Sequence, residues 1–317
     1  MEKFYSSLPA VGNRKKKNRF AIEFSRHAFL YLMILPGLIY FLIFKYGPMF
    51  GLIIAFENYS PYKGVFGSEM VGFAHFIRFF SAPQFMILLR NTLAIFGLNL
   101  VFAFPIPIIL ALMLNEMRSR SLKKGIQTVI YLPHFMSWVI VVSIFYTLLT
   151  TEGGVITQML VNMGFENAAP LQDEAWLRPM YIIQNIWKGS GWGSIIYLAA
   201  LTAVDEQLYE AAEIDGAGRF KQMWHITLPC IRPTIVIMLI LKVGEILDLG
   251  FEHMFLLLNS ANRNVADIFD TFVYIEGVKN SQFSYSAAAG MFKSLVGLLV
   301  VIVVNKIAKK LGEEGVY

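Results

Sequence analysis

The chain has 317 residues, 56% of them apolar and 15% charged, with 27 Lys and Arg against 22 Asp and Glu for a formal net charge of +5. Its mean hydropathy of +0.56 excludes an ordinary soluble domain, and a basic surplus on such a chain encodes orientation in a bilayer, not a nucleic-acid footprint. The single cysteine, Cys230, excludes an intrachain disulfide and a cysteine-rich metal site.

Residues 1–27 carry the basic run Arg14, Lys15, Lys16, Lys17 and Arg19 ahead of the first apolar block, and no small-residue cleavage site closes that block. The expectation is a cytosolic N-terminal tail followed by a retained first span. A hydrocarbon core about 30 Å thick needs roughly 20 helical residues. Six stretches approach that length: 28–46, 89–114, 126–149, 180–201, 234–258 and 286–307. They lack the alternation of barrel strands, so the predicted fold class is an all-α integral membrane protein, a six-helix transmembrane bundle. The membrane domain is placed at 28–310, with 311–317 as a short cytosolic tail. Arg118 to Lys124, Arg219 to Arg232 and the C-terminal lysines share a side with the N-terminal run. Lys63, Arg78, Arg178, Arg263 and Lys279 alone fall in the opposite loops. That bias puts both termini in the cytosol.

In the second span, FAFPIPIIL places Pro105 and Pro107 where two amide donors vanish, which predicts a kink. Asn91 and Asn99 are weaker candidates for the solute path. His134, after a proline in the third span, reads as a packed, hydrogen-bonded histidine. The fourth span contains QNIWKGSGWG, with Gln184, Asn185, Lys188 and three glycines, and a local break facing protein or water is expected there. Lys188, Trp187 and Trp192 lead the candidates for the path, because aromatic faces stack on sugar rings and an ammonium bonds hydroxyls or carboxylates. Snorkelling or pairing by Lys188, and packing by Trp187, are the structural alternatives.

The segment 204–233 reads as soluble. VDEQLYEAAEIDGAG predicts an amphipathic helix ending at Gly216, a glycine-permitted reversal, and a second helix presenting Phe220, Met223, Trp224 and Leu228. Pro229 and Pro233 are expected to reset the chain before the fifth span. That span holds LKVGEILDLGFEHMF. Lys242 and Glu245 are spaced to neutralise each other, while Glu245 and Asp248 face a wet cavity or a partner chain. Lys293 and Ser294 are candidates in the sixth span.

Glu210, Ala211, Ala212, Asp215, Gly216, Ala217, Ile226, Leu228 and Pro229 together resemble the EAA loop of binding-protein-dependent ABC importer permeases, with Met223 where that family usually has Phe. LPGLIYFLIFKYGPMFGLIIAFENYSP, VGFAHFIRFF, IWKGSGWGSIIYLAAL, EILDLGFEHMFLLLN and YSAAAGMFKSLVGLLVVIVVNKIAKKLGEE are similar to the carbohydrate branch that handles polygalacturonan- or alginate-type oligosaccharides. The similarity runs from about residue 30 to the end.

This resemblance implies a type I importer permease in a bacterial cytoplasmic membrane. It implies a coupling helix formed by Glu210 to Ala217 with Phe220, Met223 and Trp224, set in a cleft of a cytosolic ATPase. The implied partners are a second homologous permease chain, two copies of the ATPase and an extracellular solute-binding protein that delivers an oligosaccharide. Uronate-containing and neutral oligosaccharides both remain open. No Gly-Lys-Ser/Thr phosphate loop occurs, so this chain is expected to bind no cofactor and to leave ATP and Mg to the ATPase. HExxH and GxSxG motifs are absent as well, which argues against an intramembrane enzyme. A proton- or sodium-coupled secondary transporter acting without an ATPase is the alternative function.

Overall fold

The computed structural model describes residues 27–165, 170–171 and 173–310. The basic run Arg14 to Arg19 and the tail 311–317 lie outside them. The chain divides into two units, residues 1–53 and 54–317. In the first, α1 (Ala28–Phe41) passes through a π turn, Leu42–Tyr46, into a 3-10 segment, Gly47–Phe56, whose last three residues belong to the second unit. Apolar side chains surround it on every side, as a lipid-facing helix requires. The 29 residues Ala28–Phe56 have the length and apolarity to cross a membrane.

The second unit opens with a short antiparallel hairpin, β1 (Glu57–Asn58) on β2 (Glu69–Met70), in which Glu57 pairs with Met70. A short helix α2 (Ala74–Ser81) leads to α3 (Pro83–Leu98) and α4 (Pro105–Asn115). Between α3 and α4 a π turn, Asn99–Ala103, closes with the Phe104 N–H on the Asn99 carbonyl at 2.9 Å. Pro105 and Pro107 lack the donors a regular helix would need, and the wider turn upstream absorbs the mismatch.

The third predicted span is not one helix. α5 (Arg120–Tyr131) and a 3-10 turn, Leu132–Phe135, meet α6 (Trp138–Leu149) at a bend of 100°. Pro133 interrupts the ladder, and Ser137 restarts it by accepting from the Ile140 N–H at 3.3 Å. After α7 (Val155–Asn162), α8 (Glu174–Leu201) runs 28 residues without interruption, so the break expected in QNIWKGSGWG is not there. Its glycines serve close packing. A Cβ on Gly191 would lie 2.0 Å from the Ile130 carbonyl oxygen, and one on Gly193 would lie 3.2 Å from Pro107 Cγ. Small residues let α5 and α4 approach the α8 backbone.

The polar segment forms the helix pair α9 (Glu206–Ile214) and α10 (Arg219–Gln222). A π turn, Met223–Thr227, then joins α10 to α11 (Leu228–Gly244), so 219–244 is one continuous helix. Pro229 and Pro233 therefore lie inside it and do not reset the chain. The Leu228 N–H reaches back to the Met223 carbonyl, and this wide turn accommodates the donor missing at Pro229.

The fifth predicted stretch, 234–258, is interrupted instead at 245–250. Gly250 takes φ of 88° before α12 (Phe251–Leu257). α13 (Arg263–Ala266), α14 (Phe269–Tyr274) and a π turn, Ile275–Lys279, precede α15 (Phe283–Lys310). Among the described residues, four helices are long and apolar enough to span, or five with the bent pair counted as one. α8 has the length, but its polar and glycine residues dilute its apolarity. The six-span count therefore rests on including it.

The core divides along the helix axes. Tyr197 and Leu201 of α8 pack with Ala111 and Ile231 near the α9–α10 pair. Ile95, Leu177, Tyr181, Met254 and Ile268 fill the middle, and an aromatic group around Phe79, Phe269, Phe272 and Tyr285 closes the other side.

Candidate functional site

The 204–228 segment is held by local chemistry. Asp205 caps α9 by accepting from the Gln207 N–H at 3.0 Å. At its end the Ala217 N–H bonds the Ala212 carbonyl at 2.8 Å and the Gly216 N–H bonds Glu213 at 3.0 Å, with Gly216 at φ 74°. That double closure needs a left-handed residue, which glycine takes without a Cβ clash. Tyr209 and Thr227 hydroxyls meet at 2.9 Å, and Gln222 Nε2 donates to the Ala217 carbonyl at 3.0 Å. Arg219 sits 3.6 Å from Glu116 at the end of α4. Together these bonds tie the turn to the fifth span and, through Glu116, to the second.

Glu210, Ala211, Asp215 and Gly216 are exposed; Ala212, Ala217 and Met223 are half-buried. Ile214 is 87% exposed, Phe220 73% and Trp224 60%. An acidic helix bordered by exposed apolar side chains is chemically suited to another protein surface. Met223, Trp224 and Leu228 line a cavity of about 600 Å3 with Ile108 and Leu112 of α4. Ile214, Tyr209 and Gln222 carried no sequence signal beyond helical spacing.

The membrane candidates fall in three places. At the bend of the third span, Lys188 Nζ donates to the carbonyls of His134 at 2.7 Å and Met136 at 2.5 Å, and lies 5.3 Å from the Trp138 ring. Those are carbonyls freed by the break. Trp192 stacks on the His134 ring at 4.5 Å and 2°, with Phe135 on its edge at 5.6 Å; Phe135 is 72% exposed. The resulting platform is an aromatic surface beside a cation. Trp187 stands apart from it, edge-on to Phe145. Behind the bend, His253 lies between Trp138 at 3.7 Å and Tyr181 at 4.3 Å, and its Nε2 pairs with Gln184 Oε1 at 2.7 Å.

The second place is a cavity of about 370 Å3 lined by Asn185, Ser190, Lys242 and Glu245 among others, with Lys242 and Glu245 paired at 3.2 Å. Asn185 Nδ2 donates to Asn99 Oδ1. The third is a cavity of about 460 Å3 where Lys293 bonds Asp270 and lies 3.5 Å from Asp248, with Ser294 on the wall. Asp270, His253 and Gln184 complete these clusters without having stood out as site residues, because each acquires its partner across a long sequence separation. Asn91 belongs to none of the three. It joins Arg90, Arg178 and Asn264 at the opposite end of the helices from the turn.

Residues 103–313 match the family model described as binding-protein-dependent transport system inner membrane component. The chain is 59% identical to the polygalacturonan/rhamnogalacturonan transport system permease protein YteP of Bacillus subtilis (strain 168), over 98% of both chains. It is 54% identical to protein LplB of the same organism, over 92% of each. It also superposes with a TM-score of 0.87 and 41% identity on a chain in the crystal structure of a bacterial alginate ABC transporter in complex with alginate pentasaccharide-bound periplasmic protein. That match covers 94% of this chain and 100% of the other. The all-α permease fold expected from the EAA-like loop is thereby established, and the ion-coupled carrier gives way to it. The chain belongs to the binding-protein-dependent transport system inner membrane components, as a membrane-embedded permease of the ABC importer type.

Proposed function

We propose that this chain pairs with a second homologous permease and two copies of a cytosolic ABC ATPase to import an oligosaccharide, uronate-containing in its preferred form, brought by an extracellular solute-binding protein. The observation that carries the reading is the exposed turn 205–224, rigidly bonded to the fifth span, in a chain without a phosphate-binding loop. Energy has to arrive through that turn. ATP and Mg stay with the ATPase, and this subunit performs no catalysis of its own.

In this reading Glu210 offers a carboxylate to a cation of the ATPase cleft, while Ile214, Phe220 and Trp224 supply the apolar contact. Closure of the ATPases moves the turn. Because 219–244 is one helix and Arg219 holds Glu116, the movement reaches the second and fifth spans together. ATP binding then shifts the population of spans toward the outward-open arrangement, to the extent that the ATPase pair binds that state better. Both termini lie in the cytosol by the distribution of basic residues. The Phe135, His134 and Trp192 platform is placed to stack on a sugar ring. Lys188 positions it by holding the bend, and the Lys242, Glu245, Asp248 and Lys293 clusters line neighbouring walls of the path. The similarity to a polygalacturonan/rhamnogalacturonan permease and to an alginate ABC transporter supports an acidic substrate.

Glu210→Ala tests the reading. Membrane insertion and recovery of the complex should be unchanged, and ATPase stimulation by the loaded binding protein should fall. Wild-type stimulation in that variant would remove the coupling role.

A further inference from the structure

The three lysines that the sequence offers to an anion are already engaged: Lys188 by two carbonyls, Lys242 by Glu245, and Lys293 by Asp270 and Asp248. Two guanidiniums at the end of the helices away from the cytosolic turn are not neutralised. Arg90 on α3 and Arg178 in the first turns of α8 converge on one neutral acceptor, the Asn91 side-chain oxygen. Arg178 Nη2 donates to it at 3.0 Å, and Arg90 Nε and Nη2 each lie 3.4 Å from it. Arg90 Nη2 also donates to the Asn264 carbonyl at 2.8 Å. Asn91 is fully buried, and its amide nitrogen is spent on the carbonyls of Asn264 and Asp267.

Among the described residues no carboxylate stands within ion-pair distance of either arginine. The neighbouring acid, Asp267, turns its carboxylate to Arg263 at 3.5 Å and to the Thr271 hydroxyl at 2.6 Å. Arg178 Nε is buried without an acceptor, while Arg90 is exposed. Two like charges that share one amide oxygen repel, and an anion between them would both relieve the repulsion and supply acceptors. A guanidinium fork matches a carboxylate in shape as well as in charge.

We propose that Arg90 and Arg178 form a carboxylate-recognition point at the outer mouth of the permease, which takes a uronate group of the incoming oligosaccharide; this rests on the importer reading above. The pair selects acidic over neutral glycans, and Asn91 positions it by anchoring both guanidiniums to α13 and its C-cap Asp267.

The test uses the assembled complex in nanodiscs without binding protein. It measures the affinity for digalacturonate and for the neutral disaccharide obtained by reducing its carboxylates. The wild-type complex should bind digalacturonate about tenfold more tightly than the neutral analogue, and Arg90→Gln should abolish most of that preference. Arg90→Lys should retain part of it, and neutral binding should not move. Arg90 is exposed, so its replacement leaves the fold intact; Arg178→Gln is the second variant.

Equal affinities in the wild type, or an unchanged preference in Arg90→Gln, overturn the proposal. So does an equal loss for both sugars. ATPase stimulation by the loaded binding protein, measured on the same wild-type sample, separates the two layers. If it is present while the uronate preference is missing, only the recognition point fails; if it is absent, the importer reading fails.

Discussion

The chain interrupts its helices in two contrasting ways. At the exposed turn between α9 and α10, Asp205 caps one helix, Gly216 closes it, and Gln222, six residues on, secures the bend. At the bend of the third span, the carbonyls of His134 and Met136 are met by Lys188, more than fifty residues away on another helix. Water tolerates a turn whose groups are only partly satisfied, whereas hydrocarbon does not, so the membrane break must borrow a donor from a neighbouring span. The first interruption is written locally. The second exists only once two helices have packed.

The contrast can be broken most severely where α8 meets the bend. Gly191→Leu would drive a side chain into the Ile130 carbonyl, costing roughly 3 kcal/mol or more because backbone faces backbone. Loss of the monodisperse peak on size-exclusion of the solubilised chain is the expected outcome, and a normal profile would show that α8 and α5 are not in close approach.

Lys188→Met should cost about 1–3 kcal/mol, since two partly buried carbonyls lose a charged donor. The thermal midpoint in detergent should drop clearly, with Lys188→Gln recovering part of the loss. An unchanged midpoint for both variants would mean that the bend stands without the lysine.

Gly216→Val forces a β-branched residue to a φ of 74°, for about 1–2 kcal/mol. Here the midpoint should barely move, because the turn lies outside the membrane core, while stimulated ATPase activity falls severalfold. A fall in both together would erase the distinction between the two interruptions.

The smallest effect is expected at Tyr209→Phe, about 1 kcal/mol for the hydroxyl pair with Thr227. A double-mutant cycle with Thr227→Val checks it. Losses that simply add would show that the two hydroxyls do not interact.

Part of the α9–α10 turn was legible in advance. The helix end at Gly216 and the exposed Glu210 follow from residues within one or two turns of one another, a range at which propensity and capping rules operate, while the Asp205 cap was added by the structure. The fifth span was misread because prolines usually end helices, yet the π turn at Met223–Thr227 carried the helix past Pro229. QNIWKGSGWG was misread for the opposite reason. Glycines that look like helix breakers were there to admit the α5 backbone, and the lysine beside them served a break in a different span.

Composition and apolar run length were enough to determine a multi-pass, all-helical membrane protein and the place of its polar turn along the chain, because lipid allows few backbone solutions and each is encoded within a single helix. Which cations met a carboxylate across the fold was decided by tertiary structure. Lys293 met Asp270 from another helix, Lys188 met two carbonyls of the bend, and Arg90 and Arg178 met only neutral acceptors, since such partners come from what packs against a charge and not from its neighbours in the chain; the i,i+3 pair of Lys242 and Glu245 is the local exception.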